Sequence, residues 1–217
     1  MMSNLCINVP LLIVGFVLVV GFVLGMVFGS VPSGLWIVKM LHGIDIRNYG
    51  SKNIGTTNVF RTVGIQTAVI VLLCDMFKGI AAIAIVNYFY GDPLLNVITA
   101  LGALLGHNYS LFLGFKGGKG VATGLGILVF LMPKVAGAVF LIWLALVLTT
   151  RYVSLGSIVA AIFTPIMAWY LDYPLPYIVL GTIAGFFVVL RHKENIGRLL
   201  SGTESKIKPG NAKDLQK

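Results

Sequence analysis

The chain has 217 residues, 58% of them hydrophobic and only 11% charged, with a mean hydropathy of +0.95. That composition excludes an ordinary soluble domain and marks an integral membrane protein, all-α, with room for one bundle of about six to eight helices at ~20 residues each. The net charge of +9 fits the basic bias of cytoplasmic membrane loops and calls for no nucleic-acid partner.

In chain order, apolar runs are predicted near Val9–Met40, Phe60–Tyr90, Leu94–Leu113, Val121–Met132, Val135–Leu148, Val153–Tyr170 and Leu175–Leu190, which makes seven transmembrane helices. The first 30 residues lack a basic leader and an A-x-A cleavage signal, so they read as the first span. The first two runs exceed one crossing and must tilt or break; Gly29-Ser-Val-Pro32 suits a break in the first, and Asp75 to Lys78 one in the second. The fourth and fifth are short. Cys6 and Cys74 are too far apart in sequence to suggest a CxxC motif or a disulfide framework.

Basic residues alternate between connections. One set holds Lys39, Arg47, Lys52, Arg61, Lys116, Lys119, Arg151 and the basic C-terminal tail; the other holds only Lys134, with Asp92 and Asp172. The excess predicts an outside N-terminus and a cytoplasmic C-terminus. Three segments rich in polar residues and glycine then share the cytoplasmic face: Asp45 to Asn58, Lys116 to Thr123, and Arg191 to Glu204.

The segment Gly114-Phe-Lys-Gly-Gly-Lys-Gly-Val-Ala-Thr123 combines exposed glycine amides with two lysines and opens a helix near Val121, a combination suited to phosphate. It is not a Walker A motif, because Gly114 and Gly118 are too close and a glycine follows Lys119. The bland alternative is a flexible turn with lysines solvated at the headgroups. In the first polar segment Arg47 can grip a phosphate with two parallel hydrogen bonds, and Asn53, Thr56 and Asn58 can bond hydroxyls or further phosphate oxygens. Asp75 and Lys78, three apart on one helical face, suit either a structural ion pair or a site role. His107 is either a helix-end hydrogen-bonder or a group pointing into the same pocket.

No cluster of acidic residues has metal-ligand spacing, and no histidine is followed by the aspartate of thioester-dependent acyltransferases. A transporter for a small phosphorylated anion competes on the strength of the intramembrane charges and broken spans. Against it, no inverted repeat is visible and the polar motifs gather on one face.

Together, Gly29-Ser-Val-Pro32, Asp45 through Asn58, Asp75 to Gly79, Gly106-His107, Phe115 through Thr123 and Arg191-His-x-x-Asn-Ile-x-Arg-Leu-x-x-Gly-Thr-Glu204 resemble the bacterial acyl-phosphate:glycerol-3-phosphate acyltransferases. The match runs from about residue 25 to 207, in order and spacing; residues 1–208 form a single membrane domain and 209–217 a tail that reads as disordered. Lys52 and Thr56 depart from the usual Gly and Ala of the first motif and add polar groups.

The resemblance implies acyl transfer from acyl phosphate to the sn-1 hydroxyl of glycerol 3-phosphate at the cytoplasmic face of the bacterial plasma membrane. It implies no metal or cofactor, lysophosphatidic acid and phosphate as products, and a soluble partner enzyme that makes the acyl phosphate. It assigns phosphate holding to Ser30, Arg47 and the loop of Lys116, Gly117, Gly118 and Gly120, and charge neutralisation to Lys119. His192, Asn195 and Glu204 complete the site, with Ser51, Asn53, Thr56, Asn58, His107 and Thr123 as further substrate contacts. Either His192 or a phosphate oxygen of the substrate accepts the hydroxyl proton.

Overall fold

A computed structural model describes residues 11–211; Cys6, the start of the first predicted span and residues 212–217 lie outside the described residues. Among the described residues the secondary structure is all helical. Ten α-helices follow in order: α1 (Leu11–Ser30), α2 (Ser33–His42), α3 (Thr56–Val63), α4 (Ile65–Tyr90), α5 (Pro93–Asn108), α6 (Val121–Leu131), α7 (Pro133–Thr150), α8 (Val153–Tyr170), α9 (Leu175–Arg191) and α10 (Lys193–Leu200). Short 3-10 turns cover Ile46–Asn48 and Leu111–Leu113.

The first apolar run breaks where expected. Pro32 has no N–H to continue the ladder, so the chain leaves α1 at Ser30 and re-enters a helix at Ser33. The carbonyl of Val31, freed at the break, accepts from Ser33 N at 3.0 Å and from Lys78 Nζ at 2.7 Å.

The second run breaks elsewhere than expected. It divides at Gly64, whose φ of +101° only glycine adopts easily, into the short α3 and an uninterrupted α4. Asp75 and Lys78 do not interrupt α4, because they meet at 2.7 Å one turn apart and Lys78 spends a further donor on Val31. Both are buried, so the paired charges bridge α4 to the α1–α2 break.

Helices α1 and α5 touch backbone to backbone. Gly21, Gly25 and Gly29 recur every fourth residue along α1, and a Cβ on Gly25 or Gly29 would collide with the carbonyls of Thr99 and Ala103. Gly102 and Gly106 on α5 face Phe22 and Met26 in the same way. Small residues provide this contact where lipid supplies no hydrophobic drive between helices. The main core lies among α4 to α9 around Ile83, Leu104, Ile127, Met132 and Leu180. A second cluster, with Val38, Ile46, Val59 and Val71, fastens α2 and α3 to α4.

Outward faces carry Phe16, Val19, Leu73, Phe77, Leu141 and Phe186, all exposed. So much outward apolar surface suits lipid contact. By length and composition four segments can cross a membrane: the α1–α2 run, α4, α7 and α8; the bent pair α9–α10 makes a fifth. The 16-residue α5 reaches about 24 Å and the 11-residue α6 about 16 Å, the latter roughly half of a ~30 Å hydrocarbon core.

Candidate active site

A cavity of about 470 Å³ lies among α3, α4, α6, α7, α8, α9 and α10. One end is polar, lined by Ser51, Asn53, Thr56, Asn58, Arg61, Lys119, Ser154, His192, Asn195, Arg198 and Glu204. The other is walled by Val69, Leu72, Leu125, Leu128, Phe140, Trp143 and Leu180.

The polar end is organised on Glu204. Its carboxylate accepts from Asn195 Nδ2 at 2.9 Å, Ser154 Oγ at 3.0 Å and Arg198 Nε at 2.7 Å. Burial alone raises a carboxyl pKa, but these donors outweigh it and hold Glu204 below the usual carboxylate range. Asn195, its amide nitrogen committed to Glu204, turns its Oδ1 to Lys119 Nζ. Lys119 is pushed down to about 8, first by burial and then by the nearby Arg198 charge. One ammonium proton goes to Asn195; Lys119 and Gly120 themselves line the cavity.

His192 sits at the bend of 59° between α9 and α10. Its Nδ1 lies 2.7 Å from the Val188 carbonyl. A carbonyl can only accept, so Nδ1 carries the proton and Nε2 keeps its lone pair for another partner.

The first polar segment owes its shape to Asn58. Its Nδ2 donates to the carbonyls of Tyr49 (3.0 Å) and Asn53 (2.8 Å), and its Oδ1 accepts from Ser51 N at 2.8 Å. Asn53 Oδ1 in turn accepts from Gly55 N at 2.8 Å, just ahead of α3. Two buried donors at this wall, Thr56 Oγ1 and Arg61 Nε, have no partner among the described residues, although an Arg61 terminal nitrogen donates to the Ser205 carbonyl at 2.5 Å. Unsatisfied donors beside a cavity suit a guest rich in acceptor oxygens.

The lysine-glycine loop is pressed onto the end of α5. Gly118 N donates to the His107 carbonyl at 3.0 Å, and a Cβ on Gly117 or Gly118 would collide with the His107 carbonyl or imidazole. Gly120, with φ +80°, turns the chain into α6. His107 touches the cavity wall and bonds Thr123 Oγ1 through Nδ1 at 3.1 Å.

Of the residues singled out from sequence, Ser51, Asn53, Thr56, Asn58, His107, Lys119, Gly120, His192, Asn195 and Glu204 are brought together around the cavity. Six stand outside its lining. Ser30 Oγ donates to Met26 O at 2.7 Å and accepts from Leu111 N at 3.2 Å, which ties the end of α1 to the chain after α5. Arg47 is half exposed and held by Asp45, two residues away, at 2.6 Å, while this pairing keeps Asp45 at about 2. Lys116 is exposed, Gly117 and Gly118 lie against His107, and Thr123 is buried behind it.

Several polar residues absent from the expected set also line the site, among them Arg61, Arg198 and Ser154. The arginines had a signal, since each follows a site asparagine by three residues on its helix, Asn58 on α3 and Asn195 on α10. Ser154, one of three serine and threonine residues on the otherwise apolar α8, had none. Asp75 also touches the cavity, as part of its ion pair. Among the described residues no three His, Cys, Asp or Glu side chains converge as metal ligands.

The chain past Glu204 crosses the site. Ile207 lines the cavity and its N–H donates to Arg151 O at 2.8 Å, while Gly210 N donates to Phe60 O at 3.0 Å. Part of the tail expected to be disordered is therefore docked as far as Gly210.

A helical membrane bundle whose buried cationic pocket opens into an apolar chamber defines a class: membrane proteins that handle an anionic, lipid-linked molecule. The chain belongs to the glycerol-3-phosphate acyltransferase family, whose model matches residues 18–202. Relatives of that name are 48% identical in Syntrophomonas wolfei, covering 85% of this chain and 94% of theirs, and 46% identical in Synechococcus sp., covering 84% and 90%. The fold is similar to crystal structures of PlsY, an integral membrane glycerol 3-phosphate acyltransferase. Its glycerol 3-phosphate form has a TM-score of 0.78 at 39% identity, covering 89% of this chain and 94% of that one. The lysophosphatidic acid form gives 0.80 at 37% identity, covering 87% and 94%.

Proposed function

We propose that the protein transfers a fatty acyl group from acyl phosphate to the sn-1 hydroxyl of glycerol 3-phosphate, yielding lysophosphatidic acid and inorganic phosphate. The observation that carries this reading is the single cavity that joins a cationic, donor-rich end to an apolar chamber. One reactant is doubly anionic and water-soluble, the other an anionic headgroup on a hydrocarbon chain, and the cavity offers a wall to each. The ligand forms of the similar PlsY structures support the same substrate and product.

Acyl phosphate is a mixed anhydride with a good leaving group, so the chain has to orient and neutralise more than to activate. The glycerol oxygen attacks the acyl carbonyl carbon and forms the ester bond; the carbon–oxygen bond to phosphate breaks and its electron pair leaves with phosphate. Lys119 Nζ, oriented by Asn195, neutralises the charge on the departing phosphate. Arg61, Arg198 and Thr56 hold the remaining phosphate oxygens. Arg47 joins them by releasing Asp45.

The hydroxyl proton goes to His192 Nε2, the ring nitrogen left free by the bond to Val188. A phosphate oxygen of the substrate is the second candidate, favoured by the fact that His192 Nδ1 is held by a carbonyl and not by a carboxylate. An inactive, folded His192→Gln variant decides for the histidine; near-normal activity decides for phosphate. The fatty chain lies among Leu72, Leu128, Phe140 and Trp143, and product leaves sideways into lipid. The site faces the cytoplasm, where a soluble enzyme supplies acyl phosphate, and the N-terminus lies outside.

The test is phosphate release by purified protein given palmitoyl phosphate with and without glycerol 3-phosphate. Release that needs both substrates, makes lysophosphatidic acid and collapses in Lys119→Ala supports the reading. A folded protein that transfers nothing from acyl phosphate overturns it.

A further inference from the structure

The loop that presents Lys119 is clamped from two sides, and the second side is Arg191, the last residue of α9 and absent from the cavity lining. Its Nε donates to the Gly118 carbonyl at 3.1 Å and a terminal nitrogen donates to the Gly117 carbonyl at 3.2 Å. The guanidinium plane is fixed in turn by the Tyr109 ring, 5.4 Å below it. One planar fork therefore holds two successive peptide oxygens, a geometry that guanidinium provides and an ammonium does not.

The peptide bond is planar and trans, so fixing a carbonyl fixes the following N–H on the opposite edge. For the Gly117–Gly118 unit both edges are accounted for: Arg191 takes the oxygen and the His107 carbonyl takes the Gly118 N–H. For the Gly118–Lys119 unit only the oxygen is taken. Among the described residues no group accepts the Lys119 N–H, whose residue lines the cavity.

We propose that Arg191 is a positioning residue that, by gripping the carbonyls of Gly117 and Gly118, turns the backbone N–H of Lys119 into the cavity as a fixed donor for a phosphate oxygen. This rests on the acyl-transfer reading. Lys119 then acts twice, with its side-chain ammonium steered by Asn195 and its amide steered by Arg191. The two glycines are required because a side chain at either would strike His107 and lift the loop from its clamp. A preset donor costs no reorganisation when charge develops on the departing phosphate, so the gain falls on turnover rather than on substrate affinity.

The experiment compares Arg191→Ala and Arg191→Lys with the unaltered protein, each in detergent, with kcat and KM normalised to folded protein from thermal unfolding. The expected result is a kcat lower by about 30- to 100-fold in both variants with KM within about threefold, the scale of a misplaced catalytic group. Free guanidinium at low millimolar concentration restores part of the Arg191→Ala rate. A normal kcat in either folded variant overturns the inference: in Arg191→Ala it shows that the residue only packs, and in Arg191→Lys that only its charge matters.

A second readout does not depend on transfer. The amide resonance of lysine-15N-labelled protein assigned to Lys119 shifts on titration with inorganic phosphate, and does so less in Arg191→Lys. If the unaltered protein transfers nothing but this difference appears, the function reading fails and Arg191 keeps its role. If the resonance moves equally in both, Arg191 does not orient the amide.

Discussion

Replacing Glu204 by Gln keeps its shape and removes its charge at the point where Asn195, Ser154 and Arg198 converge. Glu204 is 6% exposed and accepts three hydrogen bonds between 2.7 and 3.0 Å. Glutamine offers a single acceptor oxygen and puts an NH₂ where a second acceptor stood, so either Arg198 or the Asn195–Ser154 pair meets a donor instead of an oxygen. Breaking a buried charge pair costs about 3–5 kcal/mol, and the Arg198 side chain is 39% exposed, which screens the pair and brings the expected loss to about 2–3 kcal/mol.

Either arrangement loosens a group of the site: Arg198 directly, or Asn195 and with it the Nζ of Lys119. A donor lost from an oxyanion-type site costs about 2.7 kcal/mol or more, a fall in kcat of about 100-fold. Thermal unfolding gives the first quantity and phosphate release the second. Because the folded carboxyl pKa is depressed, its stabilisation is present at neutral pH and is lost as pH falls through that lowered value. In Glu204→Gln this pH-dependent component disappears. A folded Glu204→Gln variant with kcat within about threefold of the original protein would refute the view that Glu204 organises the site.

Lys119, held at about 8, predicts an alkaline limb in kcat/KM near that pH as the ammonium is lost, and Lys119→Arg moves the limb upward; a profile flat through pH 9 contradicts it. Gly118→Ala drives a methyl into the His107 ring, so stability drops by about 1–3 kcal/mol and activity falls with it; an unchanged unfolding temperature contradicts the tight contact. Lys78→Met strands Asp75 beside the α1–α2 break and costs about 3–5 kcal/mol, whereas adding Asp75→Asn recovers part of that loss; equal unfolding temperatures for single and double variants contradict the pairing.

Much of the fold was legible because the bilayer imposes long apolar runs that no loop could mimic, and because proline forbids a continuous helix through Val31–Pro32. The glycines of α1, four apart, were also visible, but general glycine richness hid them, and only their contact with α5 distinguishes them from idle small residues. The reading of α4 failed at Asp75 and Lys78 for a definite reason. Two charges one turn apart look like an interruption when counted singly, yet they neutralise each other, and the spare donor of Lys78 serves a carbonyl 47 positions earlier in the chain.

The site divides along the same line. Residue types and spacing alone marked the glycine amides, lysines and asparagines of three segments as groups suited to an anion. Which of them face the cavity was decided by long-range packing: Asp45 draws Arg47 away from the cavity, α5 and Arg191 fix the lysine-glycine loop, and Glu204 reaches Ser154 from fifty residues away. Local sequence can set what a side chain is able to bind. The direction in which it points depends on partners that the chain brings together only on folding.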